Sequence, residues 1–278
     1  VVVVKELNDK KFLGGAGVVA SHIKALGAKC DFISLVGNDS MAEFSKNQLA
    51  LMDINSFLIK DESRPTIFKK RYMVGNQKLF RVSRLEDHLI SKEIEDKIIN
   101  HLNELAPNVK GIVVSDFSYG LITKRILKKI VDLSRKFNLK IFGDLQCSSQ
   151  IASITKFKNF SLLCPNEREA RLSLMDKISG LEKLSQILIS KTNTERLIMK
   201  LGDGGFIAYD KQNNDQYASQ AFPALSVNPV DVTGAGDSLL AIMATGLSSN
   251  QSMMHTAAVG CCMSSMAVER LGNSPINV

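Results

Sequence analysis

Short β-branched runs alternate with helix-patterned runs along most of this chain, and several of the β-type runs end at a polar residue. Gly111–Ser115 ends at Asp116, Leu139–Gly143 at Asp144, and Ser161–Cys164 at Pro165-Asn166. Between them, Ile122–Phe137 sets Ile126, Ile130, Leu133 and Phe137 on one helical face. Cys30–Val36, Arg196–Leu201 and Phe206–Tyr209 read as further strands. Val18–Leu26, Met41–Met52, Leu181–Ser190, Ser238–Leu247 and Ser252–Arg270 read as helices. Such β-α alternation predicts an α/β fold with a mostly parallel sheet covered on both faces. Ligands of these sheets bind outside the carboxyl ends of the strands, where Asp116, Asp144 and Asn166 would collect. One segment departs from the pattern. Arg64–Arg84 alternates around Gly75-Asn76 and predicts a β-hairpin, a candidate lid over that edge.

The stretch with the most chemistry is Asp231-Val232-Thr233-Gly234-Ala235-Gly236-Asp237, followed at once by the apolar run Ser238–Ala244. A Gly-Ala-Gly turn at a helix start leaves backbone N–H groups pointing outward with no side chain in the way. With the positive end of the helix dipole they form an anion site. Asp237 is then placed to take a proton from a hydroxyl while Gly234, Ala235 and Gly236 hold developing negative charge, the pair of roles that phosphoryl transfer to an alcohol requires. The plain alternative is an Asp-rich helix cap behind a glycine turn.

Three other motifs carry a functional and a structural reading side by side. Gly14 and Gly15 form a glycine turn before a helix, which tight packing would also explain. Asn166-Glu167-Arg168-Glu169 follows a strand and opens a helix. It reads as a cap with acidic first-turn residues, or as an amide and a carboxylate suited to a hard cation that keeps its waters. Lys200-Leu201-Gly202-Asp203-Gly204-Gly205 is a glycine-rich turn between strands. Neither a G-x-G-x-x-G dinucleotide fingerprint nor a Walker P-loop is present, which argues against a Rossmann dehydrogenase.

The chain has 278 residues and a net charge of +7. The basic residues are dispersed, with no basic tail, no aromatic platform and no Trp. Nucleic-acid binding therefore has no motif behind it, while a phosphorylated substrate and a nucleotide suit the charge. No apolar run approaches the roughly 20 residues a membrane helix needs. Cys30, Cys147, Cys164, Cys261 and Cys262 form no CxxC and no zinc spacing; they read as small buried hydrophobes in a reducing cytoplasm.

On these residues the chain resembles the PfkB (ribokinase-like) carbohydrate kinases, over about residues 1–272. Asp231–Asp237 resembles their C-terminal signature, Asn166 and Glu169 their NxxE motif, and Lys200–Gly205 their TLGxxG turn. Leu26-Gly27-Ala28 and Val36-Gly37-Asn38-Asp39 match the segments that follow their glycine turn. Within the family the resemblance is nearest to the sugar-kinase domain of bifunctional heptose-7-phosphate kinase/ADP-heptose synthase proteins. Asn76–Arg81 resembles their NQxLxR lid segment and Val114–Gly120 their SDYxKG strand end. Three positions depart: Val18 stands where the family has a substrate-binding Asn, and Tyr119 and Gln146 where it has lysines near phosphate.

The resemblance implies a three-layer α/β/α kinase, residues 1–278 forming one domain, with lid segments at about 1–13 and 64–84. It implies Asp237 as catalytic base and Gly234, Ala235 and Gly236 as the anion hole. Asn166, Glu167, Arg168, Glu169, Lys200, Gly202 and Gly205 would meet ATP, with Mg²⁺ at Asn166 and Glu169 through water. Gly14, Gly15, Asn76, Arg81 and Asp116 would meet the sugar or sugar phosphate, and the lid would pair two copies. The family's opening core strand and the nucleotidyltransferase domain of the bifunctional proteins have no counterpart here, so a piece of a longer protein is expected. A catalytically weak nucleotide- or sugar-binding regulator on the same fold is the alternative, favoured by Val18, Tyr119 and Gln146 and opposed by Asp237.

Overall fold

The structure, a computed structural model, describes residues 5–75, 77–146, 152–212, 216–226, 229–270, 272 and 275–276. In chain order the helices and strands are α1 (Ala16–Ala25), β1 (Asp31–Val36), α2 (Ser40–Leu51), β2 (Asn55–Lys60), β3 (Phe68–Val74), β4 (Gln77–Arg84), α3 (Lys92–Leu105), β5 (Gly111–Asp116), α4 (Lys124–Phe137), β6 (Lys140–Leu145), β7 (Leu162–Leu163), α5 (Glu167–Leu174), α6 (Leu181–Thr192), β8 (Arg196–Lys200), β9 (Phe206–Lys211), β10 (Tyr217–Phe222), α7 (Ala235–Ser248) and α8 (Met253–Val268).

The main sheet has the order β10-β9-β8-β7-β6-β5. β5 to β8 run parallel, and β9 and β10 turn back antiparallel at the edge. Successive residues of a strand point to opposite faces. Ile141 and Leu197 accordingly join the cluster under α3, α4 and α6, while Phe142 and Ile198 join the one under α1, α7 and α8. Three layers result, as expected. β1 and β2 form a separate parallel pair joined through α2, and β3 and β4 form the expected antiparallel hairpin.

Local chemistry explains several boundaries. α4 starts at Lys124 rather than Ile122 because the Thr123 hydroxyl accepts the Ile126 N–H and caps it; Asn138, at φ 52°, ends it in the left-handed conformation. β7 is shorter than the run that predicted it, and residues 5–13 contain no strand where a lid segment was expected. That stretch still touches the hairpin, for Lys70 donates to Glu6 at 3.0 Å. Of the cysteines, Cys164 and Cys261 are buried as expected, Cys30 is half-buried and Cys262 is exposed; Cys147 lies outside the described residues.

At the β8–β9 turn, Gly205 has φ +82°, and a Cβ there would sit 2.0 Å from the Phe222 carbonyl oxygen. Gly202 has φ +64° but no atom within 4 Å of its Cβ position. Gly205→Ala is therefore expected to cost more than the roughly 1–3 kcal/mol of a strained backbone alone. At about 2–4 °C per kcal/mol, thermal unfolding should show a Tm drop of at least about 4 °C. Gly202→Ala should cost less; equal losses would show that the Phe222 contact is not what fixes this turn.

Candidate active site

The carboxyl ends of β5 and β6, the start of α7 and the hairpin border one cavity. Gly14, Gly15, Arg71, Lys78, Arg81, Asp116, Phe117, Gln146, Asp231, Thr233 and Asp237 all line it. Gly234, at φ 90°, precedes α7, and no side chain caps that helix. The first-turn N–H groups of a helix have no intrahelical partners, so those of Ala235, Gly236 and Asp237 are left for a ligand.

Asp237 stands in the first turn of α7 and is buried. Gln146, just past β6, donates from Nε2 to Asp237 Oδ1 at 3.1 Å. Below the turn, Lys200 at the end of β8 donates to Asp144 Oδ1 at 2.8 Å, and Asp144 is completely buried. The Lys200 Nζ would lie 3.3 Å from a Cβ on Gly236, so the ammonium sits directly against the anion turn. Burial pushes the Asp237 pKa up to about 7, and the Asp144 carboxylate adds to the rise; Lys200 and the Gln146 hydrogen bond pull the other way. Burial alone would pull Lys200 down. The carboxylates of Asp144 and then Glu169 outweigh it, and the ammonium is held charged.

Asn166 and Glu169 form a complete capping box at the start of α5. Asn166 Oδ1 accepts the Glu169 N–H and Glu169 Oε2 accepts the Asn166 N–H, both at 2.8 Å. The structural reading of this motif therefore holds, and two of its four side-chain heteroatoms are committed to the cap. No group of three or more His, Cys, Asp or Glu residues among the described residues could cage a metal. The donor set fits only an ion held by one buried carboxylate, water and phosphate oxygens, which is how Mg²⁺ commonly binds. Glu167 is engaged by Arg171 on its own helix at 2.8 Å, and Arg168 is exposed.

The side of the cavity away from α7 is built by two turns and the hairpin. Gly15, at φ 55°, opens α1 against Phe117, whose ring would be 3.3 Å from a Cβ on this glycine. Gly14 is exposed. Asp116 ends β5 with its carboxylate paired to Lys156 and accepting the Ser118 N–H at 2.7 Å. Arg81 lies on exposed β4, while Asn76 falls outside the described residues. Val18 is buried in the core, and Tyr119 is buried under Lys69, whose Nζ lies 5.1 Å from the ring centre.

Sequence reasoning did not find three contacts. Lys78 on β4 donates to Asp231 Oδ1 at 3.0 Å and to Thr233 Oγ1 at 2.9 Å, tying the hairpin to the loop that enters the anion turn. Lys156 reaches Asp116 across 40 residues, and Lys69 covers Phe117 and Tyr119. Lys69 and Lys78 left a signal, since both fall inside the 64–84 hairpin segment, and Lys156 left none. The pairing of Asp144 was announced only by its place at a strand end.

Comparisons with known proteins agree with this geometry. A family model described as pfkB family carbohydrate kinase matches residues 1–277. "Bifunctional protein HldE" of Campylobacter jejuni serotype O:6 (strain 81116) is 28% identical over 280 residues, covering 100% of this chain and 57% of its own length. The protein of the same name from Helicobacter hepaticus is 28% identical over 279 residues, covering 99% and 55%. The chain thus spans little more than half the length of these relatives. Among solved structures, ribokinase from Giardia lamblia superposes with TM-score 0.75 at 14% identity, over 94% of this chain and 85% of that one. Phosphofructokinase-2 from Escherichia coli in complex with substrates and products gives TM-score 0.72 at 16% identity, over 90% and 80%. These structures share the fold.

The Asp237 shift has a consequence for stability. An unfolded Asp loses its proton near about pH 3.9, whereas Asp237 in the fold keeps its proton up to about pH 7. Between those values the native state binds more protons than the unfolded state. The contribution is therefore fully present below about pH 4 and is lost as pH rises through about 7. Asp237→Asn removes the titration and keeps the shape. Its Tm advantage over the unmodified protein should grow from pH 5 to pH 8 in thermal unfolding. A difference independent of pH would mean that Asp237 is not raised.

Proposed function

Because the chain belongs to the pfkB family of carbohydrate kinases, we propose that it transfers the γ-phosphoryl group of ATP to a hydroxyl of a sugar or sugar phosphate, with a heptose 7-phosphate as the acceptor to test first. The observation that carries this reading is the uncapped start of α7, with buried Asp237 bonded to Gln146 and facing the cavity that the basic hairpin borders.

In this reading the acceptor hydroxyl lies against Asp237, which takes its proton. The Ala235, Gly236 and Asp237 N–H groups hold charge on the phosphoryl oxygens, and the Lys200 ammonium beneath Gly236 adds to that field. Asn166 and Glu169 would hold Mg²⁺ through water; the ion neutralises phosphate charge when bound. Gly202 and Gly205 shape the floor under the nucleotide, with Glu167 and Arg168 at its edge. Gly14, Gly15, Asn76, Arg81 and Asp116 surround the sugar. The two lysines absent at Tyr119 and Gln146 leave the acceptor's phosphate to Arg71, Arg81 and Lys69. Leu79, Phe80 and Val82 are exposed on β4 and would be covered by a second copy. No helix among the described residues is long and apolar enough to cross a membrane; the proposed setting is the cytoplasm, with a nucleotidyltransferase domain as working partner.

A regulator that binds without turnover is the second reading, favoured by the pairing of the Asp116 carboxylate with Lys156. ATP turnover across a panel of sugars and sugar phosphates separates the two. In an active protein, kcat/KM should fall as pH drops below about 7, because the base must be unprotonated. Asp237→Asn should lower kcat by about 10²-fold or more, the usual share of a general base, with little change in ATP affinity. Near-normal kcat in that variant would remove Asp237 from the mechanism.

The cap and metal roles of Glu169 can also be separated. A Gln in its place can still accept the Asn166 N–H, so Glu169→Gln should leave Tm nearly unchanged while raising the Mg²⁺ concentration needed for half-maximal rate. An unchanged Mg²⁺ titration would leave this segment as a helix cap only.

A further inference from the structure

Arg64 begins the segment expected as a hairpin, yet β3 starts only at Phe68, so residues 64–67 form a root below it. The Arg64 side chain is buried, and its guanidinium joins three separate parts of the chain. Nε donates to Asp61 Oδ2 at 2.6 Å, just past β2. Nη1 donates to the Tyr119 carbonyl oxygen at 2.8 Å, in the loop after β5. Nη2 donates to the His88 carbonyl oxygen at 2.8 Å, in the second root, past the end of β4. A planar fork suits such a junction, whereas a lysine is a point charge on a flexible stem and cannot hold three acceptors at set angles. Two of the three acceptors are backbone carbonyls, so the guanidinium fixes the path of the chain itself.

The surroundings make this junction close. Gly120 has φ +84°, and a Cβ there would sit 1.9 Å from the His88 carbonyl oxygen. The Ile90 N–H donates to the Gly120 carbonyl oxygen at 3.2 Å. Asp61, also buried, accepts the N–H and the hydroxyl of Ser63 as well, at 3.0 and 2.6 Å. Burial alone would raise the Asp61 pKa; the Ser63 bonds and then the Arg64 charge outweigh it and hold the carboxyl below its ordinary range. The first root is tied again at Thr66, whose N–H donates to Asp39 Oδ2 and whose Oγ1 accepts the Gly37 N–H, both at 2.9 Å. Beyond the roots, β4 is exposed at all eight positions. The hairpin meets the loop after β5 once more at Lys69, whose Nζ lies 5.5 and 5.1 Å from the ring centres of Phe117 and Tyr119.

That loop, residues 116–120, needs holding. Ser118 has φ 62° and Gly120 φ 84°. The left-handed region is unfavourable for a serine, and such a residue persists there only when its surroundings enforce it. The Ser118 N–H bonds back to Asp116 Oδ1 at 2.7 Å, so the Ser118 backbone and the Asp116 carboxylate move together. The Tyr119 carbonyl that Arg64 holds lies between the two left-handed residues. We propose that Arg64 is a positioning residue for the acceptor: it locks both roots of the hairpin to this loop, and so sets where Asp116 and Phe117 stand at the cavity wall. The acceptor role rests on the proposed function; the lock itself does not.

Arg64→Lys keeps a positive charge for Asp61 and loses the fork. With ATP and a heptose 7-phosphate, the acceptor KM should rise at least about tenfold, the size of one lost hydrogen bond from a charged donor, while the KM for ATP stays within about twofold. A role in stability alone would lower Tm and move neither KM. Hydrogen exchange followed by mass spectrometry gives a readout that needs no turnover. In the variant, peptides over residues 85–90 and 116–120 should both exchange about tenfold faster, with β6 unchanged. If the variant does not fold, the unmodified protein serves: in low denaturant the two peptides should open as one unit, separately from the hairpin tip at Gly75. Three outcomes overturn the proposal: a lower Tm with both KM values unchanged, equal rises in both KM values, or one of the two peptides opening without the other. Absence of turnover of every acceptor by the unmodified protein, with the two peptides still coupled, would count against the proposed function and leave the lock in place.

Discussion

Everything at the start of α7 leans on one buried ion pair. Lys200 and Asp144 come from β8 and β6, which are not neighbours: β7 lies between them. The side chains meet only because the parallel strands end in register, and the pair lies under Gly236. Such a pair is poor evidence of net stability, because desolvation consumes most of its attraction. Removing one partner would nevertheless strand a buried charge, at about 3–5 kcal/mol. Its effect is on what surrounds it. Burial raises the proton affinity of Asp237 most, Asp144 adds to the rise and Lys200 lowers it, so the two fixed charges adjust what burial sets. The helix dipole adds to the Lys200 side of that balance.

The hairpin is coupled to the same region. Lys78 reaches Asp231 and Thr233, and Asp231 also accepts the Thr233 N–H at 3.0 Å, so the loop entering the anion turn is braced partly from the lid. Lid position and anion-turn geometry are therefore linked through one ammonium group. The link is half-exposed, which keeps its energy small and leaves the hairpin able to part from the loop. If the hairpin acts as the proposed lid, admitting a substrate and then excluding water, a tie of that strength suits it.

Much of this was legible because it is local. A Gly-Ala-Gly turn with a following apolar run fixes a helix start, and the helix start fixes where N–H groups point. The capping box of Asn166 and Glu169 was likewise written in four consecutive residues. The Lys200–Asp144 pair was not legible, because 56 residues separate its members and only the strand order brings them together. The same holds for Lys156 and Asp116. β2 and β10 were missed for another reason: runs such as Asn55–Lys60 have neither a period-two pattern nor turn residues on both sides, and their pairing decides them; α3 was legible, since Ile94, Ile98, Leu102 and Leu105 recur at helical spacing behind the Ser91 cap. Cys262 shows the limit of composition, since a residue type that is usually buried faces solvent on α8.

Gln146 is where the two halves of the site meet, and it changes the meaning of its own substitution. By resemblance, its position holds a lysine near phosphate, so its replacement reads as lost substrate affinity. In the structure the amide is bonded to Asp237. An ammonium at that place would pull the Asp237 pKa down more strongly than an amide donor does, because an opposite charge within about 4–6 Å favours the carboxylate by more than a neutral hydrogen bond. The glutamine therefore leaves Asp237 a stronger base, and in the proposed function positive charge for an acceptor's phosphate would come from Lys69, Arg71 and Arg81 on the hairpin. In that proposal, charge missing from the floor of the site would be matched by charge on the hairpin, and acceptor binding would be tied to closure of the hairpin in a way that a lysine on the floor would not require.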